Sequence, residues 1–189
     1  MREIEVKARV DNLTTIVEAL QAQNVVVTEP VTQHDIVYGQ TGIDGDGDNT
    51  APWLRIRIET KGNTTKTYFT LKKSITNQMD SIEHETLVED AKELEAIIKH
   101  LDFTLYSDLA KTRQKAQIGE IEVCLDYIDG LGAFVEAEKL TTEDAQYELV
   151  VEELWAILEQ FGASRQDEVT DGYDVLMKKH RESTTEVKD

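Results

Sequence analysis

The first ten residues constrain the fold of this chain more than any other segment, because charged and apolar residues alternate there without a break. In a β-strand, successive side chains point to opposite faces. One face would therefore carry apolar side chains from Ile4 to Val10, and the other would carry charged side chains from Glu3 to Arg9. A charged strand face usually meets solvent, so this segment alone predicts a strand and leaves the surroundings of its charges open.

The same alternation returns several times further along the chain. Two later segments repeat the Glu-x-Glu pattern and two others carry alternating cations, namely Glu83 with Glu85, Glu136 with Glu138, Arg55 with Arg57, and Lys111 with Arg113. For a single pair a solvated strand face is the more common outcome. Three acidic pairs with matching rows of cations instead favour a sheet that gathers its charged side chains on one inner face.

The remaining patterns predict one α+β domain. Strand-like segments cover residues 1–10, 25–27, 33–38, 53–60, 66–73, 81–88, 104–117, 120–127 and 133–140. Helical spacing covers 13–20, 90–101, a longer stretch capped by Thr141 or Thr142 and reaching Phe161, and 173–179, while a glycine- and aspartate-rich loop covers 39–50. No linker divides the chain, so we expect a single domain over residues 1–180 and a polar tail over 181–189. Many antiparallel strands with helices outside indicate a sheet curved enough to enclose its charged face.

Composition excludes several classes of partner. With 20 Lys and Arg against 38 Asp and Glu, the formal charge is -18, which disfavours nonspecific binding to nucleic acid or to an anionic membrane surface. The single cysteine, Cys124, cannot form an internal disulfide, and this usage fits the reducing cytoplasm best. The chain shows no secretory leader and no apolar run long enough to span a bilayer. We therefore expect a cytoplasmic protein without nucleic-acid or membrane partners.

An inner face built from these strands would concentrate carboxylates. It would hold Glu3, Glu5, Glu85, Asp126, Glu136 and Glu138. So many buried carboxylates would be strongly destabilising without compensating cations. Oxygen-rich sites of this kind suit Mg²⁺ or Mn²⁺, which also engage substrate phosphates.

The cations of the same strands offer the complementary chemistry. They are Lys7, Arg55, Arg57, Lys72, Lys111 and Arg113. Together they could hold the oxygens of a polyphosphate through charge-assisted hydrogen bonds. They could equally pair with acidic neighbours across the sheet, which is worth little at a surface. The residue pattern alone leaves both interpretations open.

The order of these motifs resembles the CYTH superfamily, which includes class IV adenylyl cyclases, thiamine triphosphatases and inorganic triphosphatases. Glu3-x-Glu5-x-Lys7 resembles the amino-terminal signature of that family. The resemblance continues through Gln33-His34-Asp35, Leu54-Arg55-Ile56-Arg57, Thr70-Leu71-Lys72, Glu83-x-Glu85, Lys111-x-Arg113, Leu125-Asp126 and Tyr173. The run from Gly130 to Glu136 is most similar to the class IV cyclase branch.

The resemblance implies a closed tunnel of eight antiparallel strands that binds a triphosphate inside. It assigns phosphate binding to Lys7, Arg55, Arg57, Lys72 and Arg113, with Lys111 beside them. It assigns the divalent ion, Mg²⁺ or Mn²⁺, to Glu3, Glu5, Asp126, Glu136 and Glu138, with Glu85 assisting. Among these phosphate-binding and metal-binding residues, the resemblance gives the catalytic role to four: Glu3, Glu5, Lys7 and Lys111. It also implies a homodimer.

Three functions are compatible with that resemblance. A cyclase would convert ATP to cyclic AMP and pyrophosphate, whereas a triphosphatase would hydrolyse inorganic triphosphate, thiamine triphosphate or a nucleoside triphosphate. A non-catalytic protein would bind polyphosphate or nucleotide in the same tunnel. One departure from the family bears on substrate choice, because Thr170-Asp171-Gly172-Tyr173 lacks the basic residue that many relatives carry before the final tyrosine.

Overall fold

The computed structural model describes residues 1–40 and 51–186, with side chains as far as residue 183. Eight strands and four helices follow one another along these ranges. They are β1 (Arg2–Val10), α1 (Leu13–Ala22), β2 (Val31–Gln40), β3 (Trp53–Lys61), β4 (Thr64–Asn77), β5 (Asp80–Val88), α2 (Ala91–His100), β6 (Phe103–Ile118), β7 (Ile121–Ile128), β8 (Gly132–Thr141), α3 (Tyr147–Gln160) and α4 (Tyr173–Glu186). The predicted loop over 39–50 lies, from residue 41 onward, outside the described residues.

The eight strands form one closed antiparallel barrel in the order β1-β5-β4-β3-β2-β6-β7-β8. The first strand closes it, because β1 pairs with β5 on one side and with β8 on the other. The prediction of a closed eight-stranded barrel is therefore confirmed. In β1 the register places Glu5 opposite Glu138 and Lys7 opposite Glu136. A slip of one residue would turn every charged side chain outward, so this register determines what fills the barrel.

The apolar core lies mainly outside the barrel wall. Helices α1 and α3 pack their buried faces against the outward apolar side chains of β1, β7 and β8, with Leu20 and Leu154 fully buried. Helix α2 covers another part of the wall, where Ile98 packs with Ile56. The alternation in β1 thus has an apolar face under the helices and a charged face inside the barrel. None of the helices in the described ranges is long and apolar enough to cross a membrane.

Two helix starts agree with the sequence and one does not. Asn12 caps α1 by accepting a hydrogen bond from the backbone N–H of Thr14 at 2.8 Å. Asp90 caps α2 through the N–H groups of the second and third helical residues, at 3.0 Å each. The predicted cap of α3 at Thr141 or Thr142 is wrong, because Thr141 pairs with Arg2 and extends β8. Helix α3 begins at Tyr147 instead, without a side-chain cap.

Two further expectations are corrected. Residues 25–27 do not form a strand: Val27 makes an isolated bridge to Ala116, beyond the end of the β2–β6 ladder at Arg113. The last helix extends beyond residue 179 to Glu186. The segment that we expected as a separate polar tail from residue 181 therefore continues α4 over its first six residues, 181–186.

Candidate active site inside the barrel

The barrel encloses a cavity of about 420 Å³. All of the site residues predicted from the sequence line it except Asp126, which is completely buried behind the lining. A cavity of this size lies within the range typical of small-molecule sites. The charged faces of the strands therefore meet one another across an enclosed space, as the alternation predicted.

Three of the predicted carboxylates form a compact oxygen cluster. Glu3 and Glu5 on β1 and Glu138 on β8 each offer an oxygen, and these oxygens lie within 4.8 Å of one another. Burial raises the pKa of Glu138 well above its ordinary value, and the negative charge of Glu3 raises it further. A divalent cation would relieve this repulsion, and hard carboxylate oxygens are the ligands that Mg²⁺ and Mn²⁺ prefer. The residues present therefore fit a divalent ion at this position.

The cation nearest to the oxygen cluster is Lys72 on β4. Its Nζ lies 3.0 Å from a Glu3 oxygen and 3.5 Å from a Glu5 oxygen. Although burial disfavours the ammonium, the charges of Glu5 and Glu3 raise the pKa of Lys72 well above its ordinary value. A positive charge therefore borders the candidate metal position.

Asp126 and Glu136 lie in a second group, where cations already satisfy them. The Arg113 guanidinium donates from Nε to Asp126 at 2.7 Å, and its terminal nitrogen contacts both carboxylates. Lys111 reaches Asp126 at 3.1 Å and Lys7 reaches Glu136 at 3.3 Å. Burial acts to raise the pKa of each carboxyl, but the charges of Arg113 and the neighbouring lysines together outweigh it and hold both values low. These two carboxylates therefore hold Arg113, Lys111 and Lys7 in place in the structure as it stands.

Arg55 is less firmly paired than the other cavity arginines. Its terminal nitrogen lies 3.6 Å from both Glu83 and Glu85, beyond hydrogen-bond distance. Its buried Nε has no hydrogen-bond partner among the described residues. The terminal nitrogen donates instead to the Thr70 hydroxyl at 3.2 Å, and that hydroxyl donates to Glu85 at 2.9 Å. Arg55 therefore keeps donors available for a ligand in the cavity.

Arg57 pairs with a carboxylate that the sequence prediction did not assign to the site. Its Nε and one terminal nitrogen donate to the two oxygens of Asp35, each at 2.7 Å. Burial opposes the charged form of Asp35, but Arg57 and its hydrogen bonds hold the pKa of this carboxyl far below its usual range. Asp35 on β2 lies opposite Arg57 on β3 because of the register of these two strands. The sequence alone therefore identified Asp35 only as part of a motif.

Other lining residues were also missed. Glu83 was recognised in a pair with Glu85 but was not assigned to the site, and Lys115 is the next inward position after Arg113 on β6. Tyr173 and Asp174 reach the cavity from the start of α4. Since they belong to a helix that enters the end of a barrel, no strand pattern could place them there.

The two buried lysines of the cavity differ in their electrostatic surroundings. Burial and then the charge of Arg113 lower the pKa of Lys111 to about 8. Burial also acts to lower the pKa of Lys7, but the negative charges of Glu136 and Glu5 outweigh this effect and raise the pKa. Lys7 therefore stays charged over the neutral range, whereas Lys111 titrates just above it.

Comparison with known proteins agrees with this geometry. A family model described as the CYTH domain matches residues 1–173. The chain belongs to the CYTH family. A Methanocaldococcus jannaschii protein, provisionally named an adenylate cyclase, is 31% identical to this CYTH chain over 174 residues, which is 92% of this chain and 97% of the relative.

Solved structures share the CYTH fold. A Pyrococcus horikoshii protein superimposes with a TM-score of 0.80 at 25% identity, over 94% of this chain and 99% of the other. A Hippeastrum protein, described as a provisional adenylyl cyclase with a dominant triphosphatase activity, gives a TM-score of 0.57 at 17% identity, over 90% of each chain. The CYTH barrel is thus found in proteins associated with both kinds of triphosphate chemistry.

Proposed function

We propose that this CYTH protein is a divalent-metal-dependent enzyme that acts on a triphosphate inside the barrel, and that it converts ATP to cyclic AMP and pyrophosphate. One observation carries the proposal. A cluster of hard oxygen ligands and a wall of buried cations line the same enclosed cavity. The provisional cyclase name of the archaeal relative supports the choice of ATP.

The cations of the wall would bind the phosphate chain. Arg55 keeps a buried donor without a partner, and Lys72 sits beside the oxygen cluster. Arg113 and Arg57 are fixed by buried carboxylates, so their guanidinium groups are held in position before a ligand arrives. Such preorganised donors stabilise the charge of a phosphoryl group without having to reorganise during reaction.

A divalent ion at Glu3, Glu5 and Glu138 would supply neutralisation of phosphate charge and orientation of the reacting groups. The protein itself would bind and align the triphosphate with its lysines and arginines, and the closed wall would limit access of water. In cyclisation a bond forms between the ribose 3′-oxygen and the α-phosphorus. The bond from that phosphorus to pyrophosphate breaks, and the proton of the 3′-hydroxyl is released.

Hydrolysis of a triphosphate is the second candidate. The lining is dominated by charged side chains, as a substrate composed mainly of phosphate would require. The Hippeastrum protein with a dominant triphosphatase activity has the same fold. In this reaction water replaces the 3′-hydroxyl as the nucleophile, and the same cations would hold the phosphate chain.

Product analysis tests the proposal. The purified protein is incubated with Mg²⁺ or Mn²⁺ and, separately, with ATP, inorganic triphosphate and thiamine triphosphate. We expect cyclic AMP with an equimolar amount of pyrophosphate from ATP. Orthophosphate without cyclic AMP would instead establish a triphosphatase, and the substrate that releases it would be identified. Tight binding without any product would show a triphosphate-binding protein and contradict the enzymatic proposal.

Replacing Arg55 with methionine should weaken substrate binding with little effect on folding. A charge-assisted hydrogen bond to phosphate contributes about 1.5–3 kcal/mol, so KM should rise roughly tenfold to a hundredfold. The ion pairs that Arg55 makes are long and partly exposed, and the melting temperature should change little. Steady-state kinetics on the preferred triphosphate measure this effect.

The matched control is Arg165→Met. Arg165 pairs with Glu152 on the outer surface at 2.7 Å, away from the cavity lining. Its replacement should leave KM unchanged. An equal change of KM in both variants would contradict the role of Arg55.

The lowered pKa of Lys111 predicts how affinity depends on pH. Its positive charge is present below about 8 and is lost above it, so the affinity for inorganic triphosphate should decrease as the pH rises through that value. The variant Lys111→Arg keeps its charge and should lack this step. Calorimetric titration of both proteins measures this difference in the pH dependence of affinity. It should cover pH 6.5 to 9.5, a range of roughly three units around that pKa. Parallel pH profiles would exclude Lys111 as the cause.

A further inference from the structure

The first side chain of α4 lies between two cavity lysines from different parts of the barrel. The Nζ atom of Lys7 lies over the Tyr173 ring, 4.3 Å from its centroid, and that of Lys111 lies 4.8 Å from it. Lys7 belongs to β1 and Lys111 to β6, and two other strands separate β6 from β1 around the barrel. The ring is therefore a shared contact for two cations that no single strand pair could bring together.

The surroundings of Tyr173 fix the position of its ring. The ring packs edge-on against Phe134, with centroids 5.1 Å apart and an interplanar angle of 66°. Just before it, the backbone N–H of Gly172 donates to the side chain of Gln78 at 2.7 Å. The carbonyl of Asp171 accepts a hydrogen bond from Lys7 Nζ at 3.3 Å. The start of α4 is thus attached to the barrel through the two residues before the ring and through the ring itself.

An aromatic ring stabilises an ammonium group in a different way from a carboxylate. A carboxylate neutralises the charge, whereas the face of a ring attracts a cation through its quadrupole and carries no net charge. Both lysines also have carboxylate neighbours, Glu136 for Lys7 and Asp126 for Lys111. A neutral contact that competes with those carboxylates keeps positive charge available to a ligand in the cavity.

We propose that Tyr173 is a positioning residue for phosphate binding, which holds the ammonium groups of Lys7 and Lys111 towards the cavity without cancelling their charge. The inference rests on the proposed function, because the ligand is the phosphate chain of the triphosphate. It adds a role for α4, since the first residue of the helix would set the geometry of two cations inside the barrel. The ring carries this role, because both ammonium groups lie over it.

The test is a series of isosteric rings at position 173. Tyr173→Phe should bind inorganic triphosphate, in the presence of Mg²⁺, within about threefold of the wild type. Replacing that phenylalanine with mono-, di- and trifluorophenylalanine weakens the quadrupole with little change of shape, and the dissociation constant should rise stepwise, by about tenfold over the series. Tyr173→Leu should lose about tenfold or more. Calorimetric titration measures all of these constants.

A second measurement separates positioning from a general loss of structure. Mn²⁺ affinity without triphosphate should stay unchanged throughout the series, because the ring does not belong to the cluster of Glu3, Glu5 and Glu138. A flat fluorination series, or full triphosphate affinity in Tyr173→Leu, would overturn the inference and leave the proposed function standing. Absence of triphosphate binding by the wild-type protein would instead overturn the proposed function, and this inference with it.

Discussion

Replacing Glu138 with glutamine should abolish metal-dependent turnover while leaving the barrel folded. The change removes one of three carboxylates whose oxygens lie within 4.8 Å of one another and keeps the size of the side chain. Even residues that only support metal ligands contribute tenfold to a hundredfold in affinity or activity, so we expect a loss of at least about a hundredfold. Turnover with Mn²⁺ and the calorimetric Mn²⁺ affinity measure this effect together.

The matched control for this change is Glu153→Gln. Glu153 lies on α3 outside the barrel, where it pairs with Lys139 at 2.9 Å. Its replacement should leave Mn²⁺ affinity and turnover as they are. Unchanged turnover in Glu138→Gln would contradict a role of the oxygen cluster in metal-dependent activity.

In the absence of metal, Glu138→Gln should also change how the stability of the protein depends on pH. The pKa of Glu138 is raised in the folded state by burial and by Glu3, so the folded protein keeps a proton that the unfolded chain releases near the ordinary value of 4.5. Stability contributed by this group is therefore present at low pH and decreases as the pH rises through the interval between the two pKa values. The slope reaches about 1.4 kcal/mol per pH unit for one proton.

Glutamine at position 138 cannot titrate, so this part of the slope should be absent from the variant. Urea unfolding of both proteins in a chelator, at several pH values, measures the difference. In the wild-type protein, a bound metal ion should replace the proton on Glu138 and so remove this part of the pH dependence of stability. Identical slopes in the two metal-free proteins would contradict the raised pKa.

Replacing Arg113 with methionine should cause the largest loss of stability. Arg113 contacts both Asp126 and Glu136, which are almost completely buried. Removing one partner of a buried ion pair costs about 3–5 kcal/mol, because the remaining charge loses its compensation. For a protein of this size we expect the melting temperature to fall by about 6–20 °C. Thermal and urea unfolding measure the loss, and triphosphate affinity should fall in the fraction that remains folded.

The double variant Arg113→Met, Asp126→Asn is the control for this explanation. It removes one of the two carboxylates left without a partner, so it should regain part of the lost stability. It should regain none of the triphosphate affinity, because the guanidinium is still missing. If the second change lowers stability further, the uncompensated charge is not the cause of the loss.

Strand alternation predicted a curved sheet with a charged inner face, whereas the resemblance to the CYTH superfamily predicted that this sheet closes into a barrel of eight strands. The pattern from Glu3 to Arg9 needs only the period of a strand to show which side chains share a face, and the repetition of charged pairs on other strands indicated that this face is inward. Parity does not determine which inward residues become neighbours. Asp126 and Glu138 both occupy inward positions on adjacent strands, yet Asp126 lies opposite Arg113 and Glu138 lies opposite Glu5. The register of neighbouring strands thus decides which inward carboxylates form ion pairs and which join the oxygen cluster. The pattern of a single strand carries no information about that register.

The contribution of α4 shows a different limit. Helical spacing after residue 173 predicted a helix, and a helix was found there. That its first residue enters the barrel and contacts Lys7 depends on where α4 packs, against β6 and Phe134. Such a contact joins elements far apart in the chain, so local periodicity could not reveal it.

A crystal structure with Mn²⁺ and a non-reactive ATP analogue would show whether metal and triphosphate bind inside the barrel. We expect an anomalous manganese peak in direct contact with the carboxylates of Glu3, Glu5 and Glu138, with the triphosphate inside the barrel on the cations of the wall. Arg55 and Lys72 should contact phosphate oxygens. A manganese peak only outside the barrel, or a triphosphate bound on the outer surface, would contradict this expectation.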